Sequence, residues 1–220
     1  MTAANSDPPA WAETPFKASF GKRAQAWVMA HCGPRYERLV AERKRGLLAG
    51  LEGNILEIGP GTGPNLKYYS RNCHCIGVEP NLYMHPYLNK AAEDAKLYVE
   101  LRRGLAERLP AADESMDAVV STLVLCSVSE PAMVLREVLR VLKPGGRLIF
   151  IEHVAAPQGT WLRWVQRVVR PLWKGIADGC HPDRETGITI EEAGFARVSY
   201  EQFRLALGPV APQIAGFAIR

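Results

Sequence analysis

The most constraining feature of this chain is an alternation. Between residues 54 and 154, stretches that are apolar almost throughout ("NILEIG", "CHCIGVEP", "KLYVELRRG", "MDAVVSTLVLC", "GGRLIFIEHV") are separated by stretches of helical periodicity. Strands that are apolar on both sides must be covered on both sides, and helical crossovers achieve this by laying the strands parallel. Helices are expected to begin at "PNLKYYS", to run around Met84 to Glu93, and to span "EPAMVLREVLRVLK", with Pro144-Gly145-Gly146 as the following turn. Upstream, Phe16 to Ala49 reads as helical, and Gly33-Pro34 is expected to divide it into two helices. Downstream come a helix over "TWLRWVQRVVRPLW", a polar loop "IADGCHPDRETG", a short helix at "TIEEAG", and closing strands at "ARVSYEQF" and "QIAGFAIR". The fold class is therefore α/β, a doubly wound, mostly parallel seven-stranded sheet. An N-terminal arm and covering helices occupy residues 1–49 and the sheet domain 50–220, with a cap insertion at about 155–190.

Length and composition narrow the class further. A chain of 220 residues can bury one well-cored domain and is short for two. The 27 basic and 23 acidic residues are spread along the chain without a basic stripe, so nucleic acid is not an expected partner. No apolar run reaches the roughly 18–20 residues of a membrane span, and "MTAANSDPPAW" lacks the features of a secretion signal, so a cytoplasmic location is expected. The five cysteines (Cys32, Cys73, Cys75, Cys126, Cys180) are odd in number and scattered, and read as reduced. Zinc on Cys73, Cys75 and Cys180 is disfavoured because a second ligand pair is missing, and no metal is expected.

The first strand ends in "NILEIGPGTGPN", an acid just before a glycine turn that leads into a helix. Such a turn lets a ligand approach backbone amides. The glycines at 59, 61 and 63, followed by Pro64, do not match the Gly-x-Gly-x-x-Gly spacing of a pyrophosphate site. Glu57 would also repel an anion, whereas it suits an ammonium or a sulfonium. S-adenosylmethionine carries both. Glu79, ending the second strand, stands where an acid accepts hydrogen bonds from a ribose diol. "GLAERLP" places Ala106 and Glu107 at the carboxyl edge of the sheet, where an adenine could be held.

"LEIGPGTG", "VEP", "AERLP", "DAVVSTLVLCSV" and "VLKPGGRLIFIEH", in that order, resemble the Rossmann-like class I S-adenosylmethionine-dependent methyltransferases over about residues 50–155. "CSVSEP", "EHVAAPQGTW", "PLWKGIADGC" and "RET" extend the likeness to the methyltransferase-like 7 proteins, whose animal members are thiol S-methyltransferases. The chain departs from those animal proteins at the N-terminus, where they carry an apolar membrane-anchoring segment. The resemblance implies S-adenosylmethionine as cofactor, with Gly59, Gly61 and Gly63 along its methionine and ribose side and Glu57 near the amino group. It implies Glu79 on the ribose hydroxyls, Pro80 and Asn81 flanking the adenine, and Ala106 with Glu107 at the adenine edge. Ser121, Thr122 and Leu123 would then lie beneath the sulfonium. The implied acceptor is a small, fairly apolar molecule, with a thiol favoured over the carbon or oxygen of a quinone or phenol. Rival readings are a non-catalytic cofactor-binding module and an NAD-dependent oxidoreductase.

On the acceptor side the candidates are His153, Asp178 and His181 for proton handling, and Trp161, Trp173, Cys180 and Tyr200 for contact with the acceptor. Trp161, Trp164, Val165, Val168 and Leu172 share one side of a helix, with Arg163, Arg167, Arg170 and Lys174 on the other. That pattern fits a lid over an apolar acceptor, a helix packed on the sheet, or peripheral membrane contact through residues 161–174.

Overall fold

The computed structural model describes residues 19–177 and 179–220. Seven strands form one sheet: β1 (Asn54–Ile58), β2 (His74–Val78), β3 (Val99–Arg102), β4 (Met116–Thr122), β5 (Leu142–His153), β6 (Arg197–Arg204) and β7 (Pro212–Ile219). Their spatial order is β3-β2-β1-β4-β5-β7-β6, parallel except for β7, which is antiparallel to both of its neighbours. The helices are α1 (Phe20–Leu48), α2 (His85–Ala95), α3 (Pro131–Val141), α4 (Trp161–Ile176) and α5 (Thr186–Glu191). The doubly wound architecture is as expected.

Strand alternation builds the two cores. Leu56, Ile58, Val119, Leu148 and Phe150 point to one face, where Val134, Leu135 and Val138 of α3 cover them. Ile55, Cys75, Ala118, Val120 and Ile149 point to the other, beneath Leu48 of α1 and Leu88 of α2. Each fully buried Val, Leu, Ile or Phe among them contributes roughly 1.5–3 kcal/mol. The chain order reverses between β1 and β4, and at such a switch point the two crossovers leave to opposite faces and open a crevice at the carboxyl ends of the strands.

Four expectations are corrected. One helix, not two, runs from Phe20 to Leu48, with Pro34 inside it. Pro34 lies on the exposed side, where the carbonyl deprived of its N–H can meet water, while buried Ala26, Val40, Lys44 and Leu48 hold the helix on either side of it. "PNLKYYS" forms only a 3₁₀ turn, Leu66–Tyr68, because Tyr69 becomes extended and turns inward to Glu57. The fourth strand ends at Thr122 and does not reach Cys126: Leu123 is left-handed, at φ 58°, and the amides of Val124 and Leu125 turn to the Glu152 carboxylate.

The fourth correction concerns α4. Its tryptophan stripe does not face the protein: Trp161, Trp164, Val168 and Leu172 are 72, 55, 55 and 70 % exposed. The helix is docked instead through buried Arg163 and Gln166. Gln166 accepts from the Ala156 amide and donates to the carbonyls of Val154 and Pro209, while Arg163 reaches the Ala156 carbonyl and Glu185. The residues that look like the solvated face thus include the anchors.

Candidate active site

The crevice between β1 and β4 starts from the glycine turn. Gly59 has φ 57°, and a β-carbon there would stand 2.8 Å from Val124. Its left-handed backbone, bonded to the Val78 carbonyl, reverses the chain immediately after β1. Gly61, also at φ 57°, donates its N–H to Glu79 Oε2 at 3.0 Å, so the turn is tied to the end of β2. The other Glu79 oxygen accepts from Asn81 N at 2.8 Å. Two main-chain amides therefore fix this buried carboxylate at the lip of the sheet, where Pro80 is exposed.

Asn81 joins the crevice to α1, its amide nitrogen reaching the Lys22 carbonyl and Gln25 Oε1. Further along α1, Met29 lies against Gly61. The start of α1 thus lies over this edge. Of the aromatics on α1, Phe20 is 87 % and Trp27 56 % exposed, and Tyr36 donates its hydroxyl to Gln213 Oε1 at 3.0 Å; Phe16 lies outside the described residues.

Glu57 faces inward. It is 2 % exposed, and its two oxygens accept from Asn65 Nδ2 and the Tyr69 hydroxyl, both at 2.7 Å. Burial raises its pKa, against the lowering pull of Tyr69, Asn65 and the nearby Lys44 ammonium. Lys44 is itself buried, with its pKa lowered by burial, and is ion-paired to Glu37. Asn65 Nδ2 also reaches Thr122 Oγ1 at 3.1 Å and so ties the turn to β4. Its Oδ1 is buried with no partner among the described residues. A partnerless acceptor beside a carboxylate fits an ammonium ligand and disfavours a phosphate.

At the end of β4, buried Ser121 points away from this network and donates to Glu152 Oε1 at 2.8 Å. The same oxygen receives the amides of Val124 (3.0 Å) and Leu125 (3.1 Å), so Glu152 organises the loop that follows β4. Burial raises its pKa, and Oε2 has no partner among the described residues. Ala106 is buried, and Glu107 Oε1 accepts from Ser129 N at 3.3 Å, which links the loop after β3 to the start of α3.

The acceptor-side candidates converge in part. His153, ending β5, is 4 % exposed and places Nε2 2.8 Å from Cys180 Sγ, which also receives Trp173 Nε1 at 3.1 Å. Cys126 completes this group. A hydrogen bond from Cys126, followed by those from His153 and Trp173, draws the Cys180 thiol down to about 5 and pushes that of Cys126 up. Cys73 and Cys75 lie in the α1/α2-side core, remote from this cluster. His181 is half-buried, its main-chain N–H on the Cys126 carbonyl and its pKa lowered by burial and by the Arg184 charge. Two candidates stand apart: exposed Trp161 stacks on Trp164, and Tyr200 donates to Glu191 Oε1 at 2.6 Å, which pushes its pKa up to about 12. Asp178 lies outside the described residues.

Sequence reasoning missed Asn65, Tyr69, Glu152, Arg184 and the partnership of Cys126. An acid inside "LIFIEH" was the visible sign of Glu152, since carboxylates are rarely buried without a task. Asn65 and Tyr69 gave no such sign, because their partners are defined only by the fold.

Comparisons with known proteins identify the family. Residues 56–150 match the model of a methyltransferase domain. The chain is 40 % identical over 208 residues to the human thiol S-methyltransferase TMT1B, covering 88 % of this chain and 85 % of that protein. It is 29 % identical to the ubiquinone/menaquinone biosynthesis C-methyltransferase UbiE of Klebsiella pneumoniae, over 80 % of this chain and 66 % of that protein. Among solved structures, a SAM-dependent methyltransferase from Aquifex aeolicus superposes with a TM-score of 0.61 at 18 % identity, covering 92 % of this chain and 99 % of that one. The chain belongs to the class I S-adenosylmethionine-dependent methyltransferases, within the family of the thiol S-methyltransferases TMT1A and TMT1B.

Proposed function

We propose that this enzyme methylates the sulfur of a small, fairly apolar thiol. The single observation that carries this reading is the buried group of soft atoms, Cys126, His153 and Cys180, at the carboxyl edge of β4 and β5, joined to the 40 % identity with a protein named as a thiol S-methyltransferase. Bound S-adenosylmethionine supplies an electrophilic methyl group whose positive charge is lost on transfer. Glu79 holds the ribose hydroxyls; Asn65 Oδ1 and the Glu57 charge favour the ammonium; Ala106 and Glu107 border the adenine. The chain's own work is alignment and exclusion of water, and Met29, Asn81 and the start of α1 cover that edge. A thiol, with unperturbed pKa about 8.5, needs little help from a base, so a half-buried histidine such as His181 or the enclosed His153 suffices to orient it.

A panel of alkyl and aryl thiols, phenols and quinols offered with labelled S-adenosylmethionine tests this reading. Labelled thioether is expected. Label on quinol carbon or phenol oxygen, with none on any thiol, would replace it by the quinone-type alternative. The exposed stripe of α4 supports a second reading, that the enzyme touches a lipid surface, with exposed Arg167, Arg170 and Lys174 on the opposite side of the helix. Co-sedimentation with anionic vesicles, weakened at least several-fold in a Trp161→Ala/Trp164→Ala variant, is expected; equal sedimentation of both proteins would dismiss it. No helix among the described residues is long and apolar enough to cross a membrane.

A further inference from the structure

Three separate segments deliver Cys126, His153 and Cys180 to one buried place: the loop after β4, the end of β5 and the turn after α4. One ligand atom from each lies within 4.8 Å of the other two. All three residues are nearly inaccessible, at 1, 4 and 6 % exposure. Around them stand groups that suit thiolates. Trp173 Nε1 donates to Cys180 Sγ, the Ser127 hydroxyl is 3.5 Å from Cys126 Sγ, and the Arg184 guanidinium binds the Leu125 and Val128 carbonyls on the loop that carries Cys126. Donors and a cation around two sulfurs are the second layer that metal-bound cysteines use.

We propose that Cys126, His153 and Cys180 bind one zinc ion, with the fourth coordination position open to the sulfur of the acceptor. Two cysteines and one histidine with a fourth position left open is a ligand set of catalytic zinc sites, and thiolate ligands select zinc over magnesium or calcium. Around tetrahedral zinc, metal–sulfur bonds of about 2.3 Å and metal–nitrogen bonds of about 2.0–2.1 Å place neighbouring ligand atoms roughly 3.5–3.8 Å apart. The His153–Cys180 contact, 2.8 Å without metal, needs to open by less than about 1 Å to accept the ion. Binding leaves both sulfurs as thiolates and releases any proton that they or His153 still hold. An acceptor R–SH entering the fourth position would form a sulfur–metal bond and release its proton to solvent, arriving as a thiolate in a site closed to water. This last role rests on the thiol reading above; the metal site itself does not.

The test uses the full chain, kept reduced. It is dialysed against excess zinc and then zinc-free buffer, and its metal is counted by mass spectrometry. A second sample takes cobalt(II), whose thiolate complexes absorb in the near ultraviolet. About one equivalent of metal is expected, with cobalt–thiolate absorption, and both should be lost in Cys126→Ser and in Cys180→Ser but kept in Cys73→Ser. Should both serine variants fail to fold, the wild-type cobalt spectrum decides alone. Less than about a tenth of an equivalent, no thiolate absorption, or undiminished binding in folded serine variants would overturn the metal site. Addition of 2-mercaptoethanol to the cobalt protein should shift the absorption, and an unchanged spectrum would overturn the acceptor's place at the metal. A metal-binding chain that methylates no thiol would sink the thiol reading and leave the metal site standing.

Discussion

At the scale of single residues, the site depends on carboxylates whose surroundings differ. Glu79 is held by two main-chain amides, and Glu79→Ala should weaken S-adenosylhomocysteine binding by about 1.5–3 kcal/mol, the range for hydrogen bonds to a charged group. Calorimetry checks this, and unchanged affinity would remove Glu79 from the ribose. Glu152 makes a prediction of opposite kind. Burial raises its folded pKa, so as pH climbs past its unfolded value the unfolded chain releases a proton that the folded chain still holds, and stability falls. Glu152→Gln carries no such charge. The melting temperature of the variant relative to wild type should therefore rise between pH 5 and pH 8 in differential scanning fluorimetry; a difference that shrinks over that range would mean the carboxylate is stabilised by its three donors after all. Glu57, Glu79 and the three glycines could be picked out in the sequence because charge and backbone freedom are properties of residue type. Asn65, Tyr69 and Arg184 could not, because a polar side chain shows its purpose only through the partner that the fold brings to it.

At the scale of elements, strands were legible and their ends were not. The apolar runs found all seven strands, but Leu123 to Cys126 reads as more strand because nothing local reveals that Glu152, 28 and 27 residues on, captures the Val124 and Leu125 amides. Helix α4 was placed correctly, and its orientation was left open among a lid, a helix packed on the sheet and a membrane contact. Periodicity finds the two faces of a helix, yet which face docks was decided here by Gln166 and Arg163, whose buried hydrogen bonds outweigh the apolar stripe. Gln166→Ala should therefore destabilise the fold by roughly 2–4 kcal/mol, since it strands an amide and two carbonyls. Trp164→Ala, on the exposed stripe, should cost about 1 kcal/mol or less. Urea denaturation measures both, and the reverse ranking would place the stripe against the protein.

At the scale of the whole molecule, function follows from topology. Reversal of strand order between β1 and β4 opens a crevice, and the proposed cofactor placement sets Glu79 and the partnerless Asn65 Oδ1 at it, with the buried Glu57 carboxylate behind Asn65. This level was legible because strand alternation fixes the crossovers, and the crossovers fix where a ligand can enter. The acceptor end was less so, since three segments from distant parts of the chain must meet before Cys126, His153 and Cys180 form a group. The most direct measurement is a crystal structure of the protein soaked with S-adenosylhomocysteine. The ribose is expected on the Glu79 carboxylate, with the amino group toward Asn65 Oδ1 and the sulfur above Thr122 and Leu123. Density for the ligand elsewhere, or none in a crevice that instead takes up NAD, would contradict that placement.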